Sequence, residues 1–312
     1  MGLIISKNPS STVRSVEREG ILGACDRKTS TRKVGINLTR YNESVLPSDI
    51  PEIVEEILAS RKYRDLSIPA ETLTDLISQE WPRHARRSDA LQAIRRKLHN
   101  IIAPYLGDPD YPAAQAALSA AFASGLSDQV KTACLELLSA HASTRERLPL
   151  LETFYPRLWA VTGIPRTVLD LACALHPFGL PWMGLPADVR YHAYDLHQPR
   201  LDCINAFFSL QNLPPLAEKR DILVSPPDVE ADVAFFFKEA HRFEQRQKGC
   251  NRAFWQALKV KTIIVSLPSS NLTGSHSMLE GQRILVERAV NGLDWKVTEI
   301  LVGNEIIFCI NK

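Results

Sequence analysis

The apolar positions of this chain change their period twice. Residues 1–45 are rich in Ser, Thr, Arg and Gly and carry no sustained apolar repeat. They read as a mobile N-terminal extension with one short helical stretch around Val13–Leu22. From Asp49 and Pro51 a helical period sets in, with Ile50, Ile53, Val54, Ile57 and Leu58 falling on one face. A second helix follows Pro69, on Leu73, Leu76 and Ile77. A third, capped by Ser88, has Leu91, Ile94, Leu98, Ile101 and Ile102 as its stripe. After the break at Pro104 and Gly107-Asp108-Pro109, Ala113–Ala123, Ser127–Ala140 and Thr144–Val161 read as three more. Residues 46–160 are therefore expected to form one all-helical domain.

At Arg166 the pattern switches to short, continuous apolar runs. Thr167–Leu171, Arg190–Leu196, Ala231–Phe237 and Thr262–Leu267 have the look of buried parallel strands. Lys296–Leu301 and Glu305–Ile310 flank Val302-Gly303-Asn304 and predict a closing antiparallel hairpin. Strands alternating with helices make residues 161–312 a doubly wound α/β sheet, so the expected fold class is α/β with a helical domain in front.

Composition adds exclusions. At 45% hydrophobic and 23% charged residues the chain is an ordinary globular protein, with no apolar run of 18 residues to span a membrane. The opening Met1-Gly2-Leu3-Ile4-Ile5-Ser6 fits a myristoylation pattern formally, without the polybasic second signal that stable anchoring needs. Six scattered cysteines form no C-x-x-C pair, which argues against zinc and a disulfide framework and for a reducing, cytoplasmic setting. His192 and His197 lack partners at ligand spacing, so no metal is expected. Net charge is only +2, but Arg83, Arg86, Arg87, Arg95, Arg96 and Lys97 crowd between Trp81 and Asn100. Such a cluster suits phosphate contact, with a solvated helix face as the alternative.

Ligands of doubly wound sheets bind beyond the carboxyl ends of the strands. Asp170 closes the first strand, ahead of the small residues Ala172-Cys173-Ala174. Asp195 ends the second, 25 residues further on, where a ribose-binding carboxylate belongs. Asp221-Ile222 follows a short third run and suits an adenine amine. Two acceptors at two strand ends match a nucleoside diol and an exocyclic amine. Three acids that merely cap helices are the alternative. The loop after Asp170 lacks G-x-G-x-x-G, which turns the reading away from nicotinamide cofactors.

Several segments together narrow the choice: HASTRER (His141–Arg147), VLDLACALHPF (Val168–Phe178), YDLHQ (Tyr194–Gln198), DIL (Asp221–Leu223), FFK (Phe236–Lys238) and VSLPS (Val265–Ser269). With ILASRKYRDL (Ile57–Leu66) and RRKLH (Arg95–His99), they resemble the aminoglycoside-resistance 16S rRNA methyltransferases, the Arm/Rmt/FmrO group. The resemblance runs from about Ile53 to Lys312. It implies a class I (Rossmann-like) methyltransferase that uses S-adenosyl-L-methionine to methylate N7 of guanine-1405 in 16S rRNA of the 30S subunit. It further implies that Arg147 meets the cofactor carboxylate and that Ala172, Cys173 and Ala174 line its methionine portion. Asp170, Asp195, Leu196, Asp221 and Ile222 complete the expected cofactor set, with Asp195 on the ribose and Asp221 at the adenine. Arg86, Arg87, Arg95, Arg96 and Lys97 would dock the helical domain on rRNA, and the chain is expected to act as a monomer.

No general base is expected, because guanine N7 offers a free lone pair and in-line placement against the sulfonium methyl is enough. The pocket candidates are Lys238, Ser266 and His176; His176 stands where the family usually has Asn. The loop 269–278 carries no Arg or Lys, unlike the basic loop of the family, and Glu239, His241 and Arg242 replace apolar residues. These departures keep a second reading open, a small-molecule heteroaromatic N-methyltransferase on the same scaffold. A third is a non-catalytic protein that binds RNA or cofactor.

Overall fold

The computed structural model describes residues 46–103, 108–270 and 276–312. The expected extension 1–45, with its short helix, and residues 271–275 of the neutral loop lie outside the described residues.

Helices α1 (Ile50–Leu58), α2 (Ala70–Glu80) and α3 (Arg87–Ile102) come first. They bury the stripes that their period predicts, and Ile53, Ile57, Leu73, Leu76, Ile77, Ile94 and Leu98 form an apolar core that, among the described residues, is supplied by residues 50–102 alone. Ser88 does not cap α3: the N-cap is Arg86, and the Ser88 hydroxyl instead bonds Asp89.

Helices α4 (Tyr111–Ala123) and α5 (Ser127–Ala140) belong to a different core. Tyr111, Leu118, Cys134, Leu137 and Leu138 pack with Phe178, Phe207 and Val168 of the α/β part. The helical stretch expected as one domain over 46–160 is thus divided between two cores. Residues 50–102 form a module with its own interior, whereas residues from 111 onwards cover the sheet. Amphipathic helices of similar length carry no mark of which surface their stripe will meet, and that hid the division.

The helix expected over Thr144–Val161 is also broken. A short α6 (Ala142–Arg145) is followed by a 3-10 turn at Leu148–Leu150 and then α7 (Leu151–Thr162). Pro149 has no N–H to continue a helix. The break lets Arg147 turn inward, where it is 3% exposed.

The sheet follows the sequence pattern closely. Strands β1 (Thr167–Leu171), β2 (Arg190–Asp195), β3 (Ala217–Lys219), β4 (Ala231–Phe237) and β5 (Val260–Pro268) run parallel. The hairpin β6 (Lys296–Val302) and β7 (Glu305–Asn311) adds β7 antiparallel to β5. The order is β3-β2-β1-β4-β5-β7-β6. Between them lie α8 (Leu180–Met183), α9 (Gln198–Leu210), α10 (Ala240–Arg246), α11 (Cys250–Ala257) and α12 (Leu279–Val290). Both faces are covered, by one core around Phe178, Tyr191 and Phe207 and another around Phe236, Trp255 and Phe308. Beyond β1 the chain builds outward through β2 and β3, then returns to place β4 on the other side. That reversal opens a crevice at the carboxyl ends of β1 and β4. No helix among the described residues is long and apolar enough to cross a membrane.

Candidate functional site

The crevice is a cavity of about 920 Å³, and every residue expected to hold the cofactor lines it: Arg147, Asp170, Ala172, Cys173, Ala174, Asp195, Leu196, Asp221 and Ile222. A volume in this range suits a nucleoside-sized ligand. His176 and Lys238 join the wall, while Ser266 sits behind it as a partner of Arg147.

The loop after β1 shows how a ligand comes close without a glycine run. Ala172 and Ala174 take left-handed φ angles of +54° and +48°, which an L-residue adopts only at a cost of roughly 1–2 kcal/mol. The bend is held by a bond from the Ala174 N–H to Asp195 Oδ2 (2.9 Å) and by one from Cys173 N–H to the Tyr194 carbonyl (2.9 Å). Burial, then the negative charge of Asp195 and Asp170, pushes the Cys173 thiol well above its ordinary range, so it is no nucleophile.

The three acids differ in how much bonding capacity they keep. Asp195 accepts at Oδ1 from the N–H groups of Leu196 and His197, and at Oδ2 from Ala174 and from Arg200 Nη1 (2.9 Å). Arg200, almost fully buried, is held in turn by Asp108 and the Tyr111 hydroxyl. Asp221 accepts the Thr72 hydroxyl at Oδ2 (2.8 Å), and the Leu223 N–H and Arg246 Nη1 at Oδ1. Asp170 accepts His176 Nδ1–H (2.8 Å) and the Tyr191 hydroxyl (2.8 Å), both at Oδ2. Its Oδ1 accepts no hydrogen bond from any described residue.

That carboxylate fixes the tautomer of His176: with Nδ1 donating to Asp170, Nε2 accepts from the Tyr155 hydroxyl at 3.0 Å. Gly179 makes room, since a Cβ there would meet the Tyr155 oxygen at 2.6 Å. His176 is thus a buried structural link packed edge-on to Phe237. Burial pushes both tyrosine hydroxyls upward, and neither serves as a base.

Arg147 also packs on Phe237, with the guanidinium carbon 4.2 Å from the ring centre. Nε and Nη2 make a two-pronged bond to Glu305 (2.9 and 2.8 Å), and Nη2 also reaches Ser266. Nη1 donates to no described residue. Burial alone would raise the Glu305 carboxyl, but Arg147, Lys238 and Ser266 outweigh it and hold it below the ordinary range. Lys238 bonds Glu146 and lies 3.3 Å from Glu305. Lys238, Ser266 and His176 are each committed to protein partners, and none is a free base.

At the rim, burial and then Asp195 outweigh the pull of Arg242 and push the Glu239 carboxyl up to about 7. His241 is driven down by burial and by Arg242.

The basic cluster looks different in three dimensions. Arg87 pairs with Asp49 and stacks on Trp81, and Arg95 pairs with Glu56. Lys97 turns toward the cavity, pairing with Glu80 at 2.7 Å and donating to the Arg246 carbonyl at 3.0 Å. Arg86 and Arg96 are exposed and have no acidic partner among the described residues. His197 does have a carboxylate partner, Asp108 at 2.9 Å, contributed from 89 positions earlier, where local spacing could not reveal it. Sequence reasoning also missed Glu305, Arg200, Arg246, Thr72 and Tyr155. Of these only Glu305 left a signal, as a lone acid opening an apolar strand.

Parallel order 3-2-1-4-5 with β7 inserted antiparallel, and a cavity of nucleoside size at the switch point, define the class I methyltransferase fold. The family model described as "Ribosomal RNA methyltransferase (FmrO)" matches residues 59–309. The chain is 32% identical over 265 residues to the 16S rRNA (guanine(1405)-N(7))-methyltransferase of Serratia marcescens, covering 85% of this chain and 99% of that protein. Its counterpart in Micromonospora olivasterospora is 31% identical over 255 residues, covering 81% and 85%. Among solved structures, the 16S rRNA methylase RmtB superposes with a TM-score of 0.67 at 30% identity, covering 85% of this chain and 99% of that one. The 16S rRNA methyltransferase RmtF in complex with S-adenosyl-L-homocysteine gives 0.68 at 25% identity, covering 86% and 99%. This chain belongs to the FmrO family of ribosomal RNA methyltransferases and is an S-adenosyl-L-methionine-dependent enzyme.

Proposed function

We propose that the chain methylates N7 of guanine-1405 in 16S rRNA of the 30S subunit and so confers resistance to aminoglycosides. The observation that carries the reading is a pair of open valences of opposite charge in one cavity, Arg147 Nη1 and Asp170 Oδ1. A methionine-type cofactor has a carboxylate and an ammonium to match them. Asp221 would meet the adenine amine. The ribose diol would engage Asp195 by replacing one of the bonds that the acid now accepts, with Arg200 as the partner able to yield.

S-adenosyl-L-methionine supplies an electrophilic methyl, and this chain's residues orient it. Glu305 and Phe237 hold Arg147, while His176 and Tyr191 hold Asp170. Guanine N7 needs no proton removed, so placement of the base against the methyl is enough for catalysis. At the rim Glu239, His241 and Arg242 would face the base, and Arg86 and Arg96 would contact rRNA phosphates.

The self-pairing of Arg87, Arg95 and Lys97 favours the second reading, a small-molecule N-methyltransferase. Expression in a sensitive bacterium separates the two. Tolerance to gentamicin and kanamycin should rise sharply under the first reading; unchanged tolerance with soluble protein present favours the second.

A further inference from the structure

The seam between the three-helix module and the rest of the chain is polar. Among the described residues, no apolar residue beyond Ile102 contributes to the module's core; bonds cross the seam at Lys219–Ser67 and Arg242–Asn100, and the buried ones gather around one acid of the cavity. Thr72, on α2 and fully buried, donates to Asp221 Oδ2 at 2.8 Å. Arg246, on α10, spans the two carboxylate oxygens of Asp221 through Nη1 (2.9 and 2.8 Å) and gives Nη2 to Asp75 of α2 (2.7 Å). Lys97 of α3 takes the Arg246 carbonyl while bound to Glu80. Of the side-chain partners that orient Asp221, one therefore comes from the module directly and the other is itself held by the module, while the Leu223 N–H adds a local bond at Oδ1.

We propose that Thr72 is a positioning residue for the cofactor, through which seating of the helical module and binding of S-adenosyl-L-methionine reinforce each other. The inference rests on the reading of Asp221 as the adenine-end acceptor. A displaced module takes Thr72 and Asp75 away, leaving Asp221 Oδ2 without its Thr72 bond and Asp221 held only by the Leu223 N–H and an Arg246 that has lost its own anchor. A nucleoside that needs Asp221 in its present orientation then favours the seated module. Linkage makes the effect reciprocal: whatever factor the seated module adds to cofactor affinity, the cofactor adds to seating. The module also presents the exposed Arg86 and Arg96. Loading the cofactor site should accordingly strengthen binding to the 30S subunit, with no contact between cofactor and most of the RNA footprint.

The test uses S-adenosyl-L-homocysteine, which binds without reacting, and the full chain. Calorimetry gives its affinity for the wild type and for Thr72→Val, Thr72→Ser and Asp75→Asn, each first checked for a cooperative thermal transition. Filter binding then gives 30S affinity with and without the ligand. Thr72→Val should weaken the ligand about tenfold, the size of one hydrogen bond to a charged group. Thr72→Ser should stay near wild type, and Asp75→Asn should fall between, providing the readout if Thr72→Val does not fold. Ligand should tighten wild-type binding to 30S by about fivefold or more, and Thr72→Val should lose most of that gain. If the wild type binds ligand and Thr72→Val and Asp75→Asn bind it equally well, the inference is overturned while the cofactor reading stands. If the wild type binds no ligand, the cofactor reading falls and takes the inference with it.

Discussion

The module of residues 50–102 and the α/β unit that follows are built to different rules. In the module, several cationic side chains lie outside an apolar interior and pair directly at the surface, as Arg95 does with Glu56 at 2.9 Å. In the α/β unit the important charges are inside: Arg147, Glu305, Arg200 and Asp221 are each no more than 3% exposed. Exposed pairs contribute roughly 0–1 kcal/mol and are screened by salt. Buried pairs contribute little over an apolar replacement, yet breaking one leaves a costly orphan charge. The charges on the module's surface are thus loosely held. The interior network is rigid, suited to a single small ligand held in one pose.

The largest effect should come from breaking the interior. Glu305→Ala leaves Arg147 buried and unpaired, and should cost about 3–5 kcal/mol in denaturant unfolding and abolish S-adenosyl-L-homocysteine binding. Leu73→Ala, in the module's core, should cost about 2–5 kcal/mol. Its hydrogen-exchange protection should drop over residues 50–102 while the strands β1, β4 and β5 keep theirs. Protection falling evenly in both regions would erase the distinction between two cores.

Smaller changes sharpen the comparison. In filter binding, Arg96→Ala should weaken 30S affinity and reduce the salt slope by about 1 if the side chain meets one phosphate. Arg95→Ala should change both less, because Glu56 already occupies that charge. Glu239 has its native carboxyl raised to about 7 from an ordinary 4.5, chiefly by burial. Between those values the folded chain holds a proton that the unfolded chain has released, so stability falls as pH rises through the window. Glu239→Gln should flatten that slope in thermal melts. The smallest effect is expected at the loop, where Ala174→Gly relieves a left-handed φ of +48°. Relief and the extra freedom of glycine in the unfolded chain partly cancel, leaving a gain of up to about 1 kcal/mol.

Strands were the most legible part of the sequence because a buried parallel strand is a short continuous apolar run, here rich in β-branched and aromatic residues and too short for a helix. Ala231–Phe237 matches β4 residue for residue, and the hairpin turns where Gly303 falls. An added Cβ at Gly303, whose φ is +57°, would meet Leu150 at 2.5 Å. The acids at strand ends were legible for the same reason, since topology puts strand ends at the crevice. Helix positions were legible but their allegiance was not: α3 and α4 both read as helices yet pack into separate cores. Pairings across long separations, such as Thr72 with Asp221 and Arg147 with Glu305, leave no local periodicity. The seam and the inner half of the site are made of such pairs. The family likeness supplied what periodicity could not, the identity of the cofactor.

Mass-spectrometric mapping of 16S rRNA, after 30S subunits are incubated with the protein and methyl-labelled S-adenosyl-L-methionine, tests the central claim most directly. The account predicts a single label on N7 of guanine-1405. Unlabelled subunits, from protein that still binds S-adenosyl-L-homocysteine, would contradict it.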